Sequence, residues 1–457
     1  MQQTNTLWAK HVLTPDGWQQ DVRIDIDGNG CITGVCAGQP AAGEQVDVLL
    51  PAMPNLHSHA FQRAMAGMTE TRGVDASDSF WTWRKLMYQF LDHLTPQDVE
   101  SIGAFSQIEM LESGYTSVGE FHYLHHQPGG RHYDDCAEMS VRVIAAAAYS
   151  GIGLTLLPVV YEQGGCDGRE LLGGQLRFGN TADQYALLYE RAASCIAADA
   201  VNANIGVAPH SLRAVSKATL GMVSTLANGG PVHMHIAEQQ AEVDELLNEY
   251  GARPVEWLLD HHPVGDSWCL IHATQTLPAE TQRLAQSGAV AGLCPITESN
   301  LGDGIFDGIR YHQAGGLFGI GTDANVRISL SEELRTLEYS QRLTAHARAV
   351  YAEPGLSTGR VLYESALAGG AQALQRNTGK VAVGYQADLL SLDMHSVSMQ
   401  PVSDDGWLDA WLFAGDDRLV TDVWSCGRHV VKHGVHVNRS RIEANYRSTL
   451  SRILQSL

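Results

Sequence analysis

Eight short apolar runs, each bounded by turn residues and separated from the next by a helical-looking stretch, recur between about residues 46 and 325. They are VDVLLPAMPNL from Val46, TSVGEFHYL from Thr116, GLTLLPVVY from Gly153, NIGVAPHS from Asn204, VHMHIAE from Val232, WCLIHAT from Trp268, AVAGLCPIT from Ala289 and LFGIGTDA from Leu317. Apolar strands alternating with helices are the pattern of repeated βα units, whose strands pair in parallel. Eight such units close a barrel. Nearly every run is apolar at its start and carries His, Glu, Tyr, Asp or Arg at or just after its end, which puts those groups at the C-terminal mouth, where barrel enzymes keep their chemistry. A doubly wound open sheet would alternate in the same way, but no Gly-rich phosphate loop follows the first strand. The expected fold class is α/β, a (β/α)8 TIM-like barrel.

The pattern changes outside this region. Residues 5–46 alternate polar and apolar positions around an Asp-Gly-Asn-Gly turn, as paired strands do. Residues 381–438 hold three more β-rich pieces, ADLLSLD, RLVTDVWSCG and RHVVKHGVHV, the last two joined around Cys426-Gly427 as in a hairpin. The simplest arrangement is a small β-sandwich domain built from both chain ends, residues 1–50 and 375–457, with a barrel of residues 51–374 inserted between them. The final RIEANYRSTLSRILQSL reads as an amphipathic helix belonging to the small domain.

A formal charge of −21 argues against nucleic acid or an anionic membrane as partner. It also means that an anionic substrate would need arginines gathered at the site. The eight cysteines have no C-x-x-C spacing, and the N-terminal MQQTNTLWAK has no basic region followed by an apolar one. Reduced thiols and a cytoplasmic location are expected.

His57 and His59 stand two apart on the first run, so both side chains leave the same face of a strand and can converge on one ion. In a chain of 20 histidines an H-x-H is a weak signal by itself; its position at the mouth of the first strand gives it weight. The fifth run supplies His233 and His235, with Glu238 just beyond. His235 lies nearer the mouth and is the expected ligand, and His233, a layer deeper, is expected to be structural. His272 ends the sixth run and Asp323 follows the eighth, where a buried carboxylate needs a partner. His57, His59, His235 and Asp323 form a His3Asp set suited to one divalent metal per chain, Zn²⁺ or alternatively Fe²⁺, with a position open for water. His272 and Asp323 could orient that water and take its proton, and Glu238 could pass a proton to a departing nitrogen. Such a set fits hydrolysis at an sp² carbon bearing nitrogen.

In this order these residues resemble the amidohydrolase superfamily, and the single-metal arrangement is similar to its deaminase branch. The resemblance covers the whole chain; GKVAVGYQADLLSLD is similar to the segment by which such enzymes return from barrel to β domain. More narrowly, PNLHSHAFQRAMAG, SFWTWRKLMY, GEFHYLHH, APHSLRAV and HIAEQ resemble the formiminoglutamate deiminases of histidine degradation. That resemblance implies hydrolysis of N-formimino-L-glutamate to N-formyl-L-glutamate and ammonia. It also implies substrate-binding roles for Gln62, Arg84, Tyr123, His210 and Arg213. The guanidinium groups of Arg84 and Arg213 suit the two carboxylates of such a substrate. Arg63, Trp81 and Trp83 lie nearby in sequence with no role assigned. Barrel enzymes commonly dimerise, and a homodimer is the expected assembly.

Two other readings stand beside this one at the level of sequence. A deaminase of nucleobases or other heterocycles would want aromatic stacking and amide donors in place of the two arginines. A non-catalytic barrel would have eroded its ligands, whereas all four ligands and both proton-transfer residues are present.

Overall fold

The computed structural model describes residues 5–70, 80–199 and 202–456. The N-terminal alternation folds into β1 (Asn5–Thr14), β2 (Gly17–Ile26) and β3 (Ile32–Cys36), each antiparallel to the next, with the Asp27-Gly28-Asn29-Gly30 turn joining β2 to β3. The first long apolar run then divides in two. Its front half is β4 (Glu44–Pro51), parallel to β1, and its back half is β5 (Met53–Ser58). Ala52, fully buried, is the hinge between two different sheets.

The other seven runs each become strand. They are β6 (Tyr115–His122), β7 (Gly153–Val160), the pair β8 (Ala203–Ile205) and β9 (Ala208–Pro209), β10 (Val232–Ile236), β11 (Trp268–His272), β12 (Val290–Leu293) and β13 (Phe318–Ile320). The fourth run is broken at Gly206 and Val207. All pairings among these strands are parallel, in the orders β5-β6-β7-β8 and β10-β11-β12-β13, with β9 also on β7. Apart from β8, the strands are buried along their whole length, as parallel strands covered on both faces must be. Two parallel bridges span the gaps between the sheets, Val207 with Val232 and Ser58 with Asp323. At the second, the His59 N–H donates to the Asp323 carbonyl (2.9 Å) and the Asp323 N–H to the His57 carbonyl (3.0 Å). Gly321 permits this approach, because a Cβ there would lie 2.8 Å from the His57 carbonyl oxygen.

The chain returns to the first sheet through β14 (Leu389–Leu392), β15 (Val420–Ser425), β16 (Arg428–Lys432) and β17 (Val435–His436). The expected sandwich is, in its hydrogen bonding, one continuous path of eight strands, β17-β16-β15-β14-β4-β1-β2-β3, with β14 on β4 sewing the two chain ends together. Within the span read as β-rich, Asp405–Ala414 is a helix. Trp407, Leu408, Trp411 and Leu412 recur at helical spacing and are buried on one face. The terminal helix Arg439–Leu454 packs on the helix Pro96–Glu112, where Tyr446 stacks on Phe105 with ring centroids 4.0 Å apart. Among the described residues no helix is long and apolar enough to cross a membrane.

His429 ties the small sheet across its strands. Its Nδ1 lies 3.1 Å from Glu44 and its Nε2 2.9 Å from Asp422, and its ring stacks on Trp424. Burial works against the imidazolium, but the two carboxylates outweigh it and raise the histidine above its ordinary value. Its contribution to stability is therefore complete below the unfolded value near 6.5 and fades as pH rises through the raised one. His429→Gln is expected to cost on the order of 1 kcal/mol at pH 6 and less at pH 9, read from thermal unfolding at both pH values.

Candidate active site

His57 and His59 leave one face of β5, and Ser58 between them accepts a hydrogen bond from Asn325 (3.1 Å). His235 comes from the penultimate position of β10, and Asp323 follows β13 with a left-handed backbone (φ 45°). Asp323 Oδ1 lies 3.3 Å from His57 Nε2 and 3.2 Å from His59 Nε2, and the Nε2 atoms of His57 and His235 are 3.1 Å apart. All four residues are buried, and one donor atom from each falls within 4.8 Å of the rest.

The histidine tautomers suit a cation. His59 Nδ1 is 2.9 Å from the Phe121 carbonyl and His235 Nδ1 is 3.1 Å from the His210 carbonyl, so both rings must carry a proton on Nδ1 and turn an Nε2 lone pair inward. Burial lowers all three histidines, His57 to about 3, which keeps them neutral near pH 7. Burial would raise Asp323, but the hydrogen bond to His57 and the nearby His59 and His272 outweigh it and hold the carboxyl below the usual carboxylate range. Three neutral imidazoles and one carboxylate, buried and convergent, fit a divalent ion with mixed nitrogen and oxygen donors.

Next to this set, His272 ends β11 with a left-handed backbone, as does Ala273 (φ 71° and 51°). Its Nε2 lies 3.9 Å from Glu238 Oε1 and 3.9 Å from Asp323 Oδ2, too far for direct hydrogen bonds and suited to an atom held between them. Burial disfavours its charge, but Glu238, Glu298 and Asp323 together raise it to about 10. Burial also raises the Glu238 carboxyl. Its backbone is fixed from both sides, the N–H donating to Glu242 (3.1 Å) and the carbonyl accepting from Thr274 (2.8 Å).

These groups open into one cavity of about 550 Å³, partly open to solvent. It is lined by His59, His235, His272, Glu238 and Asp323, and by all five residues expected to hold substrate: Gln62, Arg84, Tyr123, His210 and Arg213. His57 lies beneath, fully buried. Gln62 Nε2 donates to the Tyr123 hydroxyl (2.7 Å). Arg84, on the helix Phe80–Leu91, donates from Nε to the Tyr88 hydroxyl (2.6 Å) and from Nη2 to the Tyr161 hydroxyl (2.8 Å). Both hydroxyls orient the guanidinium. Arg213 is buried in the same wall. The cavity thus brings the carboxyl groups of Glu238 and Asp323 together with the guanidinium groups of Arg84 and Arg213.

Tyr88, Tyr161, Phe178 and Met87 also line the cavity, and the sequence had not singled them out. Tyr161 closes the third apolar run, so the rule that polar groups at strand ends face the mouth applied to it too. Trp83 lines the cavity, and the Trp81 side chain lies outside the described residues. Arg63 pairs with Glu109 (2.6 and 3.2 Å), and His233 Nε2 meets the Ala373 carbonyl (2.8 Å) in the core as expected. A larger hollow of about 1620 Å³ lies at the opposite ends of the strands, against the helix Thr358–Leu374, and none of these groups lines it. Chemistry therefore marks the site where size does not.

Two family profiles match, the amidohydrolase family over residues 48–430 and the "Formimidoylglutamate deiminase HutF, N-terminal domain" over residues 4–46. The chain is 45% identical to a formimidoylglutamate deiminase of Pseudomonas aeruginosa, over 98% of its own length and 100% of the relative's. Among solved structures, an amidohydrolase from Brucella melitensis is 44% identical with a TM-score of 0.94, covering 98% of this chain and 100% of that one. An adenosine deaminase from Xanthomonas campestris with bound zinc shares the fold at 22% identity and a TM-score of 0.82, covering 98% of each chain.

Proposed function

This chain belongs to the amidohydrolase family, and from that premise we propose that it hydrolyses N-formimino-L-glutamate to N-formyl-L-glutamate and ammonia, a step of histidine degradation. The observation that carries the reading is the single cavity in which a convergent His3Asp set, the His272–Glu238 pair and two arginines meet. A formamidine carbon with two carboxylates on the same molecule matches a cavity lined by both carboxyl and guanidinium groups. The two carboxylates fall to Arg84 and Arg213, with Gln62, Tyr123 and His210 as hydrogen-bonding partners.

His57, His59, His235 and Asp323 would hold one divalent ion, for which we propose Zn²⁺, with Fe²⁺ as the alternative; bound there, it supplies the acidification of water that hydrolysis needs near neutral pH. The chain's own residues manage the protons. His272 orients the water. Water adds to the formimino carbon as the C=N π pair moves to the terminal nitrogen, one water proton passes to Asp323 and Glu238 protonates that nitrogen. The C–N bond then breaks, the proton on Asp323 goes to the departing nitrogen and the proton of the new hydroxyl returns to Glu238, so that ammonia leaves and the formyl C=O remains. The raised Glu238 carboxyl suits proton donation in this pH range.

We propose further that the parallel strands close as one (β/α)8 barrel of residues 51–374, carried on a small domain of residues 1–50 and 375–457. The bridges Ser58–Asp323 and Val207–Val232 favour closure. A homodimer in the cytoplasm is the proposed setting, and it agrees with eight free cysteines.

The test is ammonia release from N-formimino-L-glutamate by purified, zinc-loaded protein. Deamination of a purine or pterin without any of that release would leave the family standing and overturn the substrate. Arg213→Met is expected to lower kcat/KM by about 10- to 100-fold, mainly through KM, since one charge-assisted carboxylate contact is lost. Steady-state kinetics over a range of substrate concentration checks it.

A further inference from the structure

We infer that Glu298, on the helix Pro295–Leu301 that follows β12, is the positioning residue that aims His272 at the reacting centre. The inference rests on the deiminase reading for the reaction whose rate is measured. Its basis is geometric. Glu298 Oε1 accepts a hydrogen bond from the Cys294 N–H (2.8 Å) and lies 3.2 Å from His272 Nδ1. The first contact anchors the carboxylate to the start of its own helix, and the second fixes the imidazole. A carboxylate accepts only, so His272 must present an Nδ1–H to it whether the ring is neutral or charged. That leaves Nε2 as the atom facing Glu238 and Asp323, 3.9 Å from each.

Two further observations agree. Glu298 is buried, with 6% of its surface exposed, and a carboxylate is not buried without a partner that uses it. His272 and Ala273 both occupy the left-handed region, a costly conformation for residues with side chains, so the end of β11 needs an outside group to hold it. Glu298 comes from the next βα unit and ties the two strand ends together. Cys294, His272 and Glu298 also lie close enough to share an ion. However, burial keeps the Cys294 thiol protonated, and Glu298 Oε1 is already engaged with the Cys294 N–H and His272, so the cluster acts through hydrogen bonds.

Glu298→Leu and Glu298→Gln separate this role from packing, because all three side chains have similar volume. Expected losses in kcat are on the order of 50-fold for Glu298→Leu and about 5-fold for Glu298→Gln, which keeps a weaker acceptor, with KM within about threefold in both. Metal content should stay at one ion per chain. In ¹⁵N-histidine-labelled, zinc-loaded protein, the His272 Nδ1 resonance, assigned by its loss in His272→Gln, should move in both variants. Wild-type turnover of formiminoglutamate together with unchanged kcat in a folded, metal-replete Glu298→Leu overturns the inference and spares the substrate reading. Should Glu298→Leu not fold, an unmoved His272 Nδ1 resonance in Glu298→Gln overturns it instead. Absence of wild-type turnover alone counts against the substrate, and the resonance then decides Glu298.

Discussion

Glu238→Gln is expected to lower kcat on formiminoglutamate by about 10²- to 10⁴-fold while leaving KM and metal content close to wild type. The substitution keeps the shape of the side chain and removes the proton that the leaving nitrogen needs. Its position supports a large effect: the carboxylate lines the cavity opposite His272, and its backbone is pinned by Glu242 and Thr274. Glu238 Oε1 lies 3.9 Å from His272 Nε2, beyond hydrogen-bond distance, so removing its charge breaks no direct hydrogen bond to that ring. Stopped-flow or coupled ammonia assays measure the loss directly. Retention of kcat within tenfold would move the proton donor elsewhere.

Asp323→Asn should be more severe, on the order of 10⁴-fold or more, because one side chain serves two purposes. Its Oδ1 sits between His57 and His59, while its Oδ2 faces His272. An amide in its place brings no negative charge to the ion and cannot take a proton from water. Elemental analysis should show metal falling below one per chain, and adding zinc in excess should restore occupancy further than it restores rate. Full recovery of activity with zinc would confine Asp323 to metal binding.

The arrangement of strands was legible because parallel strands buried on both faces must be apolar throughout, and all eight apolar runs are strands. The division of the first run was less legible: Val48 through Leu56 is a continuous buried stretch with no Gly, and only Pro51 and Pro54, which cannot donate to a ladder, flank Ala52, where the chain leaves one sheet for another. The helix Asp405–Ala414 was missed for a different reason: its flanks are β-rich, and a short helix among strands is betrayed only by the spacing of its tryptophans. At the site, His57 and His59 were readable because strand period fixes their common face. Glu298 was not, since its meaning comes from a histidine 26 positions earlier on another strand. Tyr88, Phe178 and the His210 carbonyl likewise acquire their roles only when distant elements meet.

The seam at Ser58 and Asp323 bears on how the protein is made. The first two metal donors leave the ribosome with residue 59, the third with residue 235, and the fourth only when Asp323 emerges and its backbone pairs with His57 and His59. A growing chain thus holds an incomplete set of donors through most of its synthesis. Completion of the donor cluster and docking of the strand that precedes Asp323 therefore coincide, because the backbone that pairs with His57 and His59 is the one that carries the Asp323 side chain.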